Sequence, residues 1–323
     1  MAGSIREVGA YGGPVGGEPG GSSGGPPLDP TVAARLQRSE AAARLDAFAA
    51  SDPCGDGATN QLDHGRQCDT EINDAALFEK QPGDVDAVDS RDLQQGRLAD
   101  CYLLAPLAAM AGTPEGCAFL RHAIVENKSA DGHVVSYTVT LHELQHGRFG
   151  MARARDVPVT VDPRFVVGHA GLRLEGNHHE IWPLVVEKAC AKYLGGYNQL
   201  DRARSPSDAL ALLTGRQPQY VSFDWPKRWV SPYSETTLKA DLASGKLVIL
   251  NSRSDIAGPT RAPEREAAHG LAPSHAYFVK AVEERDGKCF VRLGNVWPGA
   301  KPVVIPFDEL TRWFSGVHLG SLR

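Results

Sequence analysis

The sequence predicts an α+β fold, helix-rich in its first part and sheet-rich in its second. Three observations carry this. The run YLLAPLAAMA, residues 102–111, consists of strong helix formers with Pro106 as its one interruption. A second helical pattern, HEIWPLVVEKACAKYLGGY, closes on the pair Gly195–Gly196. Beyond it the apolar residues fall in short runs at 247–251, 276–282 and 289–294, the pattern of strands. Helices followed by strands, without βαβ alternation, give an α+β layout.

Taken in order, residues 1–30 form a Gly/Pro-rich tail, GGPVGGEPGGSSGGPPLDP at its centre, with too little apolar surface to hold a fixed shape. DPTVAARLQRSEAAARLDAFAASD follows as an amphipathic helix with Asp29 and Thr31 as candidate caps, and a turn-rich linker runs to residue 74. The folded body is expected from about Leu77 and Phe78. After the 102–111 helix come short β-rich pieces, VVSYTVTLHE, RFGMARA and VPVTVD, separated by Gly and Asp. SPSDALALLTG reads as a helix with Ser207 as N-cap and Gly215 as its stop. A closing helix is expected at 307–314. No internal repeat is visible.

The 323 residues suffice for one large or two moderate domains. A net charge of −5 without dense Lys/Arg clusters gives no electrostatic footprint for nucleic acid. No apolar run approaches the roughly 20 residues of a membrane span, and a standard secretory signal is not expected. The chain is expected to be monomeric, and either cytoplasmic or exported without a standard signal peptide. Six cysteines are too sparse for a disulfide framework. Cys54 and Cys68, in a Gly/Asp/Asn-rich stretch, are left open as bridged or free. Cys117, Cys190 and Cys289 fall in apolar patterns and read as core.

DLQQGRLADCYLLAPLAAMAG places Cys101 where a polar loop meets a buried helix. The first turn of a helix presents unpaired N–H groups that favour a thiolate, the nucleophilic form of cysteine. Such a thiol still needs a base held in orientation. APSHAYFVKAVEE puts His275 at the mouth of one strand, and CFVRLGNVWPG puts Asn295 just past the next. Neighbouring antiparallel strands would bring the two together, with the Asn accepting the imidazole Nδ1–H. Gln95 and the Cys101 backbone N–H are placed to stabilise an oxyanion.

These segments carry a resemblance. QGRLADCYLLAPLAAMA is similar to the active-site segment of the calpain family of papain-like cysteine peptidases. SHAYFVKAVEE resembles that family's histidine segment, and LGNVWPG its Asn-Pro-Trp-Gly segment. EIWPLVVEKACAKYLGGY, ALALLTG, VPVTVDPR and FDELTRWFSGVHLGSL resemble further stretches, in the same order, across roughly 75–323. The resemblance implies a papain-like fold in two subdomains, 75–204 carrying Cys101 and 205–323 carrying His275 and Asn295. It implies a cysteine endopeptidase acting on protein substrates through a thioester. Cys101 is the nucleophile, His275 the general base and acid, Asn295 the orienting residue, Gln95 the oxyanion donor, and Trp297 a shield over the His–Asn bond. Ala99, Tyr102 and Val296 stand where the family has Gly, Trp and Pro, and none of these changes removes a group the chemistry uses.

No cofactor is required for that chemistry, but the family's core binds calcium. Asp92 and Glu180 match its carboxylate ligands and are hard oxygen donors that suit the ion; otherwise they read as a surface acid and a cap-like helix residue. By the resemblance, the segment after Asn295 is too short for the family's second calcium loop, so that site is expected to be missing, and no counterpart of the family's penta-EF-hand region is expected. Other readings remain. One is acyl transfer to an amine, another a catalytically silent, calpain-like binding module or effector. HELQH, 142–146, fits the zinc-peptidase pattern H-E-x-x-H, but strand character before it and glycines after it read as a hairpin turn. His178–His179 and the acidic run Asp84, Asp86 and Asp89 read as solvated side chains.

Overall fold

The structure, a computed structural model, describes residues 75–96, 98–146, 152–165, 180–224, 233–256 and 268–322. The Gly/Pro tail, the 31–50 helix, Cys54, Cys68, His178 and His179 lie outside the described residues.

The helix α1, Cys101–Ala111, buries every residue from Tyr102 onward. An apolar surface on all sides requires cover on all sides. α2, Pro114–Ala123, supplies part of it and is capped by Thr113, whose hydroxyl accepts the Gly116 N–H. A three-stranded antiparallel sheet follows, in the order β1 (Ile124–Lys128), β2 (Val134–His146), β3 (Ala152–Val161). α3, Trp182–Leu194, ends on Gly195 at φ 95°, a left-handed stop that only glycine takes without strain. After one helical turn, Tyr197–Leu200, α4 spans Pro206–Thr214 and stops at Gly215, φ 65°.

The second half is a six-stranded antiparallel sheet in the order β4-β9-β5-β6-β7-β8. Its strands are β4 (Gln219–Ser222), β5 (Leu247–Ser252), β6 (Ala276–Arg285), β7 (Lys288–Gly294), β8 (Val303–Pro306) and β9 (Phe314–Gly320). α5, Glu235–Ala243, lies before β5. The chain is therefore α+β, as expected.

Successive strand residues point to opposite faces, and the central strands use both. Leu247 and Ile249 of β5, with Ala276 and Phe278 of β6, join the core around α1, α3 and α4. Val248, Leu250, Tyr277 and Val279 join a second core with Leu238, Trp313 and Phe314. Burial on both faces explains why 247–251 reads as a continuous apolar run rather than an alternation. It also sets α1 directly against β5 and β6.

Several local expectations are corrected. Ser205, not Ser207, caps α4 and accepts the Ser207 N–H. The Ser207 hydroxyl lies 2.8 Å from Nδ1 of His318 instead. No break separates the end of RFGMARA from VPVTVD: β3, Ala152–Val161, runs through Asp156, while residues 148–151 lie outside the described residues. The closing helix shrinks to two short turns, Phe307–Glu309 and Leu310–Trp313, because the chain must extend at Phe314 to enter the sheet between β4 and β5. HELQH is strand, not turn, with His142 opposite Asp156 and His146 opposite Ala152. Asp84 is buried rather than solvated, accepting the Gln81 N–H at 2.8 Å and pairing with Arg91. No single described helix is long and apolar enough to cross a membrane.

Gly294 pairs with Phe278 at the end of β7, one residue before Asn295. A Cβ there would drive into the Phe278 ring, which is itself fully packed. Gly294→Ala is expected to cost about 2–3 kcal/mol through overpacking, seen as a melting temperature lower by roughly 5–10 °C. An unchanged melt would mean the ring yields freely.

Candidate active site

Cys101 is the first residue of α1 and is only partly buried, while the turns behind it are sealed. The helix terminus favours a thiolate, but burial outweighs it and raises the thiol above its usual range. The Ala276 N–H works in the other direction, lowering it by donating to the sulfur, and Asp100 raises it further. Ala276 opens β6, so the strand that follows His275 meets the sulfur directly. A cavity of about 480 Å³ opens beside Cys101, walled in part by Ala99, Tyr102, Arg204, Arg253 and Ser274.

Ser252, at a bulge in β5, holds the backbone of His275. Its N–H donates to the His275 carbonyl at 2.9 Å, and its hydroxyl accepts the His275 N–H at 2.9 Å while donating to the Ala272 carbonyl at 2.6 Å. Ser274, just before the histidine, adopts φ 51°, a left-handed conformation that costs a non-glycine residue energy. The ring of Tyr277 meets the imidazole edge-on, with centroids 4.9 Å apart.

Asn295 does meet His275, as the antiparallel pairing of β6 and β7 anticipates, with Oδ1 2.8 Å from the ring. The nitrogen is Nε2, not the expected Nδ1. The reason is reach: neighbouring strands lie about 4.8 Å apart, and Nε2 is the nitrogen farther from the backbone. Nδ1 is left as the nitrogen available to a sulfur. Burial lowers the imidazole to about 4, against a smaller opposing effect of the Asn295 bond.

Trp297 covers this pair, its ring 4.5 Å from that of His275, and its N–H donates to Asn295 Oδ1 at 3.0 Å. Its indole N–H donates to Gln95 Oε1 at 2.8 Å, across 202 residues of sequence. Gln95 is buried and donates one amide hydrogen to the Leu98 carbonyl at 2.7 Å; its backbone N–H donates to Val296 at 2.6 Å. Gln95, Trp297, Asn295 and His275 thus form one connected chain beside Cys101. Among the described residues no hydrogen bond joins the Cys101 sulfur to the His275 ring; Ala276 is the link. Ser252 and Tyr277 escaped the sequence reading, since neither a strand serine nor a core tyrosine carries a local signal.

With the thiol raised and the imidazole lowered, both groups are neutral at pH 7 in this arrangement. Alkylation of Cys101 by iodoacetamide, followed by peptide mass mapping, is expected to accelerate steadily with pH to beyond 9. A plateau between pH 5 and 7 would instead indicate a preformed thiolate–imidazolium pair.

Asp92 and Glu180 are both buried, so the surface reading of Asp92 is wrong, and Glu180 lies in a bridge to Ala76 ahead of α3 rather than in the helix. Asp92 Oδ2 accepts the Trp182 indole N–H at 3.1 Å and the Asp89 N–H at 2.7 Å, while Glu180 Oε1 accepts the Glu79 N–H at 3.1 Å. Asp92 Oδ1 and Glu180 Oε2 are buried without a hydrogen-bond donor. Burial raises Asp92 to about 6, and burial with the nearby Asp92 charge raises Glu180 to about 9. Two buried oxygens lacking donors, on acids that repel, fit a hard cation. Among the described residues no three His, Cys, Asp or Glu groups gather for a metal, so further ligands would be carbonyls or water.

The H-E-x-x-H geometry does not form. On a strand, residues four apart lie about 13 Å from each other, and His142 Nδ1 sits 3.0 Å from Asp156 Oδ1 instead.

Residues 71–302 match a family model described as calpain family cysteine protease. Among curated relatives, Calpain-13 of Rattus norvegicus is 29% identical over 215 residues, covering 64% of this chain and 29% of that protein. Calpain-type cysteine protease DEK1 of Zea mays is 27% identical over 221 residues, covering 65% of this chain and 9% of that protein. Calpain-7 of Sus scrofa is 29% identical over 226 residues, covering 67% and 26%. The chain spans less than a third of the length of these relatives.

Proposed function

Because the chain belongs to the calpain family of cysteine proteases, we propose that it is an endopeptidase hydrolysing peptide bonds in proteins through Cys101, His275 and Asn295. The observation that carries this reading is the connected chain Gln95–Trp297–Asn295–His275 beside the open cavity at Cys101. The architecture is read as papain-like, residues 75–204 facing 205–323 across the cleft.

In the reaction, the Cys101 sulfur gives its proton to His275 Nδ1 and attacks the substrate carbonyl. The second amide hydrogen of Gln95 and the Cys101 backbone N–H hold the developing oxyanion. The imidazolium returns the proton to the leaving amine, giving a thioester and a free amine. Water, deprotonated by His275, then releases the carboxylic acid and restores the thiol. Asn295 keeps Nε2 occupied so that Nδ1 faces the sulfur, and Trp297 keeps water off that bond.

Asp92 and Glu180 are read as calcium ligands. The ion would supply positive charge between the two acids and steady the loop that carries Gln95. Calcium at about 100 times its Kd is expected to stabilise by about 2.7 kcal/mol, raising the melting temperature by roughly 5–10 °C. Asp92→Asn should lose that rise.

The sulfur's contact with Ala276 rather than imidazole favours a second reading, a catalytically silent binding module. Incubating a mixed peptide library with the protein, with and without calcium, distinguishes the two. Products heavier by one water per cut, unchanged in mass when an amine is added, support the peptidase. Absence of cuts in both conditions, together with no labelling of Cys101 by an electrophilic peptide, sinks it.

A further inference from the structure

Residues 272–275 make a turn immediately ahead of β6, and Ser274 within it sits at φ 51°. A non-glycine residue keeps a left-handed conformation only where its surroundings over-determine it. Here two buried hydroxyls meet at one peptide unit. The Tyr277 hydroxyl accepts the Ala272 N–H at 2.8 Å, and the Ser252 hydroxyl donates to the Ala272 carbonyl at 2.6 Å. Ser252 reaches this position from the β5 bulge, a device that re-aims a side chain. Its oxygen also accepts the His275 N–H at 2.9 Å, tying the far end of the turn, and the Arg253 carbonyl accepts the Ser274 N–H at 3.3 Å. Ser252 and Tyr277 are 4% and 0% exposed, so water is poorly placed to take over either bond. What the turn carries is the His275 ring. Asn295 Oδ1 takes the Trp297 N–H as well as the ring contact, so it acts as an acceptor and His275 Nε2 holds the proton. That bond spans 2.8 Å, and a shift of the ring by about 1 Å would break it.

Resting on the reading of His275 as the general base, we propose that Ser252 and Tyr277 are positioning residues for it. Their hydroxyls grip Ala272 at its carbonyl and its N–H, hold Ser274 in its left-handed conformation and so keep the His275 ring on Asn295. Both act through the turn, not on the reacting atoms. When the grip is lost, Ser274 relaxes toward an ordinary φ, the ring leaves Asn295 and the Nε2–H is freed. Misplacing a catalytic group by about 1 Å costs up to about 100-fold in rate.

The test follows the His275 ring by proton NMR on protein labelled with nitrogen-15 histidine, alongside peptide kinetics. In the wild type the Nε2–H, donated to Asn295 beneath Trp297, should exchange slowly with water. Ser252→Ala, folded by its melt, should speed that exchange by at least about tenfold. It should also lower kcat by roughly 10- to 100-fold with KM within about twofold, the signature of a misplaced catalytic group. Adding Ser274→Gly removes the strain that drives the turn to relax, so the double variant should recover much of the slow exchange. A general loosening of the core would show no such rescue. Exchange at the wild-type rate in a folded Ser252→Ala, or no recovery in the double variant, would overturn the proposal. If Ser252→Ala does not fold, Tyr277→Phe decides by the same measurement, since it keeps the ring that packs on His275 and removes the hydroxyl. Ring exchange needs no turnover: faster exchange in a protein that cleaves no peptide supports the grip and removes only the peptidase reading.

Discussion

Cys101→Ala is expected to lower kcat/KM for peptide hydrolysis by about 10³- to 10⁶-fold, the range seen when a covalent nucleophile is removed and only binding and oxyanion stabilisation remain. Alanine supplies no attacking atom and no thiol proton, so His275 has nothing to activate. The fold should persist, because Cys101 contributes a partly exposed edge to a core built by the ten residues behind it. The comparison is made with a fluorogenic peptide on protein of verified mass, alongside thermal melts of both forms. Residual cleavage within tenfold of wild type, on a folded variant, would place the chemistry elsewhere.

Gln95→Glu is the second large effect. The substitution keeps the side chain's shape and the oxygen that accepts the Trp297 indole N–H, but removes both amide hydrogens. One of these holds the Leu98 carbonyl; the other is the oxyanion donor of the proposed mechanism. Loss of an oxyanion donor costs about 10²–10³ in kcat. An interaction made only in the transition state lowers kcat and kcat/KM together and leaves KM nearly unchanged. Losing the Leu98 bond alone would appear as a stability loss of about 1–3 kcal/mol without that kinetic signature. A lower melt with kcat intact would therefore assign Gln95 a purely structural part.

Much of the candidate site was legible because its members sit at element boundaries, where sequence signals are strongest. Cys101 marks the abrupt start of an apolar helix, and His275 and Asn295 flank adjacent strands whose pairing follows from their spacing. Gly195 and Gly215 announced their helix stops through the same local logic. By contrast, nothing near Ser252 tells that its hydroxyl will hold the His275 backbone, and nothing near Asp84 tells that it will be buried. The closing helix failed for a related reason: LTRW favours a helix locally, but Phe314 is claimed by the sheet.

By itself, the amino-acid order determined the α+β class, the helix carrying the thiol, the strands carrying histidine and asparagine, and the family those segments resemble. Only the tertiary structure decided that Nε2 rather than Nδ1 meets Asn295, that Trp297 reaches Gln95 across the chain, and that the Ser252 hydroxyl holds the His275 backbone. The division has a physical cause. Propensity, capping and periodicity act over a few neighbouring residues, whereas burial and the choice of hydrogen-bond partner depend on which distant segment the completed core brings alongside.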